Sequence, residues 1–243
     1  MIIGNLECMV MYTGEPTFND CVASIVDQTV KASKTFIVKD FFPLNESINE
    51  RHRRMEKEIS IKVDADMILY PDCFKILFEQ LKVAGENYWG ISAMLLDPFL
   101  GEIGGVHIQR SEHLKNIRVP NVIGCDRWLA EQMKDKGYLY KEVPIVVGVH
   151  KSDWSLEAIF KRQVRVGQKH AYFGSAKYED IVGRIKKKWD AGDQRAYLAL
   201  IGYCYGLLVS TKEEKGKDFM QDEWERISRL IDKGIIPISG EKT

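Results

Sequence analysis

Apolar residues follow two different spacings along this chain. Up to about residue 150, short runs rich in Ile, Val, Leu and Phe alternate with segments in which apolar residues recur every three or four positions. The first spacing is typical of strands and the second of amphipathic helices. The pattern predicts single strands at 6–11, 35–39, 59–63, 89–97 and 103–110, and a pair of strands within 138–150. It predicts helices at 16–28, 45–58, 71–81 and 125–137, and this alternation indicates an α/β layer fold.

Beyond His150 the pattern becomes almost wholly helical. Helices are predicted at 153–168, 176–189, 193–209 and 218–233. We therefore divide the chain into a core at 1–152 and a helical region at 153–243. The third of these helices is the most apolar, but its modest length and its glycines and tyrosines favour a buried or partner-facing helix over a membrane span.

Composition excludes several classes of protein. The 243 residues carry 35 Lys and Arg against 35 Asp and Glu, so no bulk charge argues for nucleic acid. There is no run of about 18 apolar residues and no basic-then-apolar leader, which predicts an intracellular, cytoplasmic protein. The five cysteines are scattered and odd in number, which predicts reduced core thiols rather than a structural zinc site.

Basic residues are concentrated in one part of the helical region. Residues 161–188 contain nine Lys or Arg and two acidic residues. Two interpretations stay open. The segment is either a solvated helical face or a surface that contacts phosphate or an anionic membrane.

The clearest chemical signal is the pair Asp64 and Asp66. The strand at 59–63 delivers both side chains to its carboxyl end, where open α/β sheets hold their ligands. Carboxylate oxygens suit a hard cation such as Mg²⁺ or Mn²⁺, which usually binds through one or two carboxylates and substrate phosphates. Many Asp-x-Asp triplets are solvated turns, so it is the position at a strand end that favours a metal-diphosphate site here.

Four segments, in order along the chain, carry a resemblance to a known family. They are NDCVASIVDQ at 19–28, VKD at 38–40, DAD at 64–66, and GCDRWLAEQMKDKGY at 124–138 followed by Val149 and His150. On these motifs the chain resembles glycosyltransferase family 2, of the GT-A fold, over about residues 5–167. The resemblance implies a Rossmann-like, mixed and mostly parallel sheet flanked by helices. The helical region would then be a C-terminal extension that completes the site.

The resemblance implies roles for the residues near the Asp-x-Asp. Asp66 and His150 are expected to ligate Mn²⁺ or Mg²⁺, which would neutralise the departing diphosphate. Asp64 is expected to contact the ribose or the donor sugar, and Asp40 to face the nucleotide base. The alternatives are a strand-end histidine with one backbone hydrogen bond for His150 and an ordinary turn aspartate for Asp40.

The transfer step requires a base, because the acceptor hydroxyl must lose its proton as it attacks the anomeric carbon. The resemblance assigns this role to Asp126, whose alternative is an N-cap or first-turn acid of the helix at 125–137. Arg162 and Arg165 are expected to steady the diphosphate, and their alternative is an ordinary helix surface.

The chain departs from the family pattern beside Asp40. Many relatives carry two adjacent acids at this strand end, whereas Lys39 precedes Asp40 here. Arg51, Arg53 and Arg54 are candidates to replace the nucleotide contacts that the family makes in this region.

The resulting prediction is a metal-dependent, inverting glycosyltransferase of hexosyltransferase type, with a role in polysaccharide biosynthesis. It would take a nucleotide-diphosphate sugar as donor and a glycan or lipid-linked acceptor. Peripheral contact with the inner membrane face and assembly into a homo-oligomer are left open. Three alternatives remain: a non-catalytic sugar-nucleotide-binding subunit, a nucleotidyltransferase of similar fold, and a membrane-surface interaction protein.

Overall fold

The computed structural model describes residues 2–174, 176–210 and 217–238. The strands in these residues are β1 (Ile2–Tyr12), β2 (Lys31–Lys39), β3 (Ile59–Asp64), β4 (Met67–Leu69), β5 (Tyr88–Asp97), β6 (Gly101–Arg110) and β7 (Leu139–His150). The helices are α1 (Phe18–Val26), α2 (Leu44–Arg54), α3 (Cys73–Ala84), α4 (Cys125–Asp135), α5 (Leu156–Phe173), α6 (Ala176–Asp190), α7 (Gln194–Leu208) and α8 (Lys217–Asp232).

The chain forms two compact units. The first consists of the chain up to Asn121 together with Cys125–Ser152, and it contains all seven of these strands. The second consists of Val122–Gly124 and the chain from Asp153 onward, and its described elements are helices.

The strands of the first unit form one mixed sheet with the order β2-β1-β3-β6-β5-β7-β4. Strand β1 pairs in parallel with β2 and β3, and β5 pairs in parallel with β7. Strand β6 runs antiparallel to both β3 and β5, and β4 runs antiparallel to β7. The mixed α/β fold predicted from the sequence is confirmed.

The segment predicted as a pair of strands is a single strand, β7. Its pairing with β5 changes register between the pairs Ala93↔Val143 and Met94↔Val146, so two extra residues of β7 bulge out of the ladder. One of them is Pro144, which has no N–H to give to the ladder. The proline bends β7 without ending it. The short strand β4 was not predicted, since three residues are too few to show a strand period.

One face of the sheet carries the apolar core of the first unit. Inward-facing residues of β1, β3, β5, β6 and β7 pack against Cys21 and Ile25 of α1 and against Phe74, Leu77 and Leu81 of α3. This face follows the period-2 and period-3.6 apolar patterns of the sequence, because each element buries one side against the other.

The opposite face buries polar groups where it meets α2. Glu7, Ser60 and Gln109 lie side by side across β1, β3 and β6, and all three are buried. The guanidinium of Arg51, from α2, is also buried, and its Nη1 donates to Oε1 of Gln109 at 2.6 Å. Burial lowers the pKa of Arg51 to about 10, the charge of Asp64 opposing this shift. Arg51 is therefore part of the interior, which removes it from the three candidates for a nucleotide contact.

The buried ring of His52 links α2 to the loop that follows β6. Its Nδ1 lies 3.1 Å from the carbonyl oxygen of Ile117 and its Nε2 lies 3.2 Å from Nη2 of Arg51. This arrangement suits the neutral ring, with the proton on Nδ1. Burial, together with the charge of Arg51, lowers the pKa of His52 to about 3.

Four of the cysteines are buried as predicted, namely Cys8, Cys21, Cys73 and Cys125, and none of the five forms a disulfide. Cys204 is exposed on α7, so the prediction that it is a core thiol is wrong. Burial raises the pKa of Cys21 to about 12, with the charge of Asp64 acting in the same direction.

In the second unit, α7 packs closely on α5. A side chain at Gly202 or Gly206 would run into the backbone of α5, so these glycines permit the close approach. The face of α7 with Leu198 and Ala199 is buried, whereas Leu208 at its end is 85% exposed. Assembly into a homo-oligomer stays a prediction. No helix among the described residues has the length and apolar character needed to cross a membrane.

We expect the stability of the protein to fall in acid because His52 must then gain a proton. Its folded-state pKa of about 3 lies below the 6.5 of the unburied side chain, so stability is lost progressively as the pH falls from 6.5 toward 3. His52→Asn keeps an N–H donor near Ile117 and does not titrate. Its melting temperature should fall less than that of the wild type between about pH 7 and about pH 5. Parallel decreases in the two proteins would contradict this role of His52.

Candidate functional site

The candidate site lies at the carboxyl ends of β1, β2 and β3. These three strands run in parallel, and their ends are aligned by the pairs Tyr12↔Lys39 and Met11↔Asp64. Asp40 and Asp64 therefore reach the same edge of the sheet. This edge is where open α/β sheets bind their ligands.

Asp40 directly follows β2 and turns the chain away from the sheet. Its backbone has φ of 59°, a left-handed conformation that Asp adopts more readily than most residues. Its N–H donates to the carbonyl oxygen of Tyr12 at 3.0 Å, which anchors the turn to β1. The carboxylate is exposed, with Nζ of Lys39 at 3.7 Å. Lys39 thus places a positive charge beside the carboxylate of Asp40.

The Asp-x-Asp triplet forms a tight turn that is held from several sides. Asp64 ends β3, the turn passes through Ala65 and Asp66, and β4 begins at Met67. The N–H of Ala65 donates to the carbonyl oxygen of Met11 at 2.9 Å. The carbonyl oxygen of Asp66 accepts the N–H of Lys151 at 2.7 Å. The backbone of both aspartates is therefore fixed by the neighbouring strands.

Asp66 lies against His150, because β4 pairs with the end of β7. The pair Met67↔His150 puts the residue before β4 beside the last residue of β7. Nε2 of His150 is 3.1 Å from Oδ2 of Asp66, and the two side chains are 15% and 24% exposed. The hydroxyl of Ser152 lies 3.1 Å from the same carboxylate oxygen and 2.8 Å from Nε2. The carboxylate of Asp66, the imidazole of His150 and the hydroxyl of Ser152 are thus in mutual contact.

Two residues of this cluster, Asp97 and Ser152, were not predicted from the sequence. Oδ2 of Asp97 lies 2.7 Å from Nδ1 of His150, and the carboxylate is fully buried. Asp97 ends β5, which runs parallel to β7, and the pair Leu96↔Val149 brings the two strand ends together. An acid at the end of a strand was the available signal, but only the sheet order shows that this strand neighbours β7.

Asp64 points to a different set of neighbours. Its Oδ2 forms an ion pair with Nζ of Lys62 at 2.7 Å, and the side chain is 37% exposed. Asp64 is also the charge that acts most strongly on the buried Arg51. The positively charged side chains of Lys62 and Arg51 both offset the negative charge at this edge of the sheet.

Asp126 lies in the first turn of α4 with its side chain exposed. The helix begins one residue earlier, at Cys125, so Asp126 is a first-turn acid rather than the residue preceding the helix. Burial raises the pKa of Tyr140, and the charges of Glu142 and Asp126 act in the same direction. This coupling places Asp126 within electrostatic reach of β7.

The remaining predicted residues, Arg162 and Arg165, belong to α5 of the second unit. The guanidinium of Arg162 lies over the ring of Trp154, 4.7 Å from its centroid, in a cation–π arrangement. Arg165 is exposed. In the first unit, Arg53 and Arg54 both form ion pairs with Glu50.

The side chains of Asp66 and His150 fit a hard divalent cation. Carboxylate oxygen and imidazole nitrogen both bind Mn²⁺ and Mg²⁺, and the two donor atoms already lie within 3.1 Å of each other. Within residues 2–174, 176–210 and 217–238, no group of three or more His, Cys, Asp and Glu side chains is arranged to hold a metal ion. Cations of this kind commonly bind through one or two protein ligands and through phosphate oxygens of the substrate.

Comparison with solved structures gives the class of the fold. A mannosyltransferase from Pyrobaculum calidifontis, solved in complex with GDP-Man and Mn²⁺, matches with a TM-score of 0.56 and 13% identity, over 97% of this chain and 76% of that chain. A glucosyl-3-phosphoglycerate synthase from Mycobacterium tuberculosis, solved with Mn²⁺ and UDP-glucose, matches with a TM-score of 0.49 and 14% identity, over 67% and 77% of the two chains. No family model matches the sequence, and no curated protein matches it significantly. The likeness to the mannosyltransferase confirms the GT-A fold of nucleotide-sugar glycosyltransferases.

Proposed function

We propose that this protein is a metal-dependent, inverting glycosyltransferase that moves a sugar from a nucleotide-diphosphate sugar to a hydroxyl of a glycan or lipid-linked acceptor. The observation that carries the proposal is the contact of Asp66 with His150 at the end of an Asp-x-Asp strand. The GT-A fold and the ligands of the similar mannosyltransferase, GDP-Man and Mn²⁺, support it. Screening a panel of nucleotide sugars for thermal stabilisation with Mn²⁺ would identify the donor.

In this proposal Asp66 and His150 hold Mn²⁺ or Mg²⁺ at the edge of the sheet. The cation supplies positive charge that stabilises the departing diphosphate. Asp64 contacts the ribose or the donor sugar, and Asp40 faces the base. The carboxylate of Asp40 is exposed and that of Asp64 is partly exposed, so both are accessible to such groups. The diphosphate role of Arg162 and Arg165 stays a prediction.

Asp126 is the proposed general base. Its exposed carboxylate is accessible to an acceptor hydroxyl, and it takes the proton as the hydroxyl oxygen attacks the anomeric carbon. The attack is in line with the leaving diphosphate, so the configuration at that carbon inverts. The proposed base and the proposed metal ligands lie on separate elements, so each role can be tested alone.

We also propose that α6 makes the peripheral membrane contact that the sequence left open. Ile185 is buried and anchors the helix, while Lys186, Lys187 and Trp189 are exposed. Exposed lysines beside a tryptophan are typical of helices that lie on anionic membrane surfaces. The alternative is a solvated face, since Lys186 also pairs with Asp190 at 2.8 Å.

Substitutions at the proposed metal ligands should distinguish metal binding from donor binding. Asp66→Ala should abolish activity, and His150→Ala should weaken the dependence on Mn²⁺, because each removes a ligand. The stabilisation of the protein by nucleotide with Mn²⁺ should decrease in both variants. Asp64→Ala should instead impair donor binding more than metal binding. Turnover that is undiminished in the presence of EDTA would contradict the proposed metal site.

Asp126→Asn should isolate the chemical step. Nucleotide and metal should bind about as in the wild type, while transfer decreases about 10²- to 10⁴-fold, the usual contribution of a general base. Release of nucleotide diphosphate and nucleotide affinity are the two measurements. Asp135→Asn, at the exposed last residue of the same helix, is the matched control and should leave both unchanged. A near-normal rate in Asp126→Asn would leave it as an ordinary first-turn acid.

Charge reversal on α6 should reduce membrane binding alone. Each lysine near an anionic surface contributes about 1 kcal/mol, so Lys186→Glu, Lys187→Glu and Lys188→Glu together should weaken binding to phosphatidylserine vesicles by more than about 100-fold. Nucleotide affinity should not change. Flotation with anionic and neutral vesicles measures this, and equal binding of wild type and variant would favour the solvated face.

A further inference from the structure

The carboxylate of Asp97 is fully buried and both of its oxygens have defined partners. Oδ1 accepts the N–H groups of Phe99 and Leu100 at 2.9 and 2.7 Å. Oδ2 lies 2.7 Å from Nδ1 of His150. A buried carboxylate is costly unless it is hydrogen-bonded, and here three donors converge on it. The position of Asp97 is therefore set by its own backbone turn, independently of His150.

This geometry determines which nitrogen of His150 carries the proton. An ionised carboxylate only accepts hydrogen bonds, so Nδ1 must be the donor in its contact with Asp97. By the same rule Nε2 also carries a proton in its contact with Oδ2 of Asp66 at 3.1 Å. When the ring loses one proton, Nδ1 keeps its own for Asp97, and the lone pair is left on Nε2, beside Asp66 and the hydroxyl of Ser152 at 2.8 Å. A metal ion can bind an imidazole only through a nitrogen that has no proton.

We propose that Asp97 is a positioning residue that fixes the tautomer and orientation of His150, so that the lone pair of Nε2 points to the cation held with Asp66. The inference rests on the proposed function in that the ligand is Mn²⁺ or Mg²⁺. It adds a residue outside every motif that the sequence singled out. Carboxylates that orient metal-bound histidines in this way raise metal affinity substantially.

Asp97→Asn tests the proposal because the turn dictates how the amide must sit. The two N–H groups of Phe99 and Leu100 require an acceptor, so the carbonyl oxygen of the amide takes the place of Oδ1. The NH₂ group then faces Nδ1 of His150, which must become the acceptor. The proton moves to Nε2, on the side of Asp66, and blocks metal binding. The substitution preserves volume and the turn, so the fold should be retained.

The first measurement needs no metal and no activity. In the metal-free protein, ¹⁵N NMR of the imidazole should show a proton on Nδ1 of His150 in the wild type, and in Asp97→Asn it should show the proton on Nε2 and none on Nδ1. His150→Ala identifies the signal. A wild-type ring without a proton on Nδ1, or a variant ring with its proton still on Nδ1, would overturn the proposal.

The second measurement is the affinity for Mn²⁺, by titration of the full chain in the presence of UDP or GDP. Asp97→Asn should weaken it about 10- to 100-fold, with a melting temperature near that of the wild type. In the His150→Ala background, Asp97→Asn should cause no further loss, because its effect acts through that ring. An equal loss in both backgrounds would mean that Asp97 merely supports the fold.

The two proposals fail in different ways. A wild-type protein that does not bind Mn²⁺ with either nucleotide contradicts the metal site of the proposed function. A wild-type protein that binds Mn²⁺, with an unchanged affinity in Asp97→Asn, contradicts the role of Asp97 alone.

Discussion

The three-residue pairing of β4 with the end of β7 is the interaction on which the candidate site depends. It sets Met67 opposite His150 and Leu69 opposite Gly148, and so places Asp66 directly beside the histidine. The glycine is required, because a side chain at Gly148 would press against the carbonyl oxygen of Ile68. The contact between the side chains of Asp66 and His150 therefore depends on backbone hydrogen bonds between strand ends.

A second constraint is electrostatic. The carboxyl edge of the sheet collects the carboxylates of Asp40, Asp64 and Asp66, whose mutual repulsion must be offset. Lys62 pairs with Asp64 at 2.7 Å, and the buried Arg51 feels the charge of Asp64 more than that of any other group. A divalent cation bound at Asp66 and His150 would complete this compensation, and it would also favour the diphosphate of a nucleotide sugar. Charge balance in the protein and the chemistry of the proposed donor thus favour the same site.

The two faces of the sheet bury different kinds of side chain. The face covered by α1 and α3 is apolar and supplies most of the hydrophobic stabilisation. The face covered by α2 buries Arg51, which contacts His52 and Gln109, and Glu7, whose carboxylate accepts the backbone N–H of Glu56. Such polar interiors are costly when a partner is lost, so they specify one arrangement of α2 relative to the strands. In this arrangement α2 connects Asp40 to β3, the strand that ends at Asp64.

The sequence by itself determined the α/β architecture, because the apolar residues of each strand and helix recur at a regular spacing along that element. It also singled out Asp64, Asp66 and His150 as candidate site residues, since each ends a recognisable strand or lies in a motif. Only the tertiary structure decided that Asp97 contacts His150, that Ser152 contacts Asp66, and that Arg51 is interior. It also made one strand, bulged at Pro144, of the predicted pair. These outcomes depend on which strands are neighbours in the sheet and on how a bulge shifts their register. Strand order is a long-range property that no local period of the chain contains.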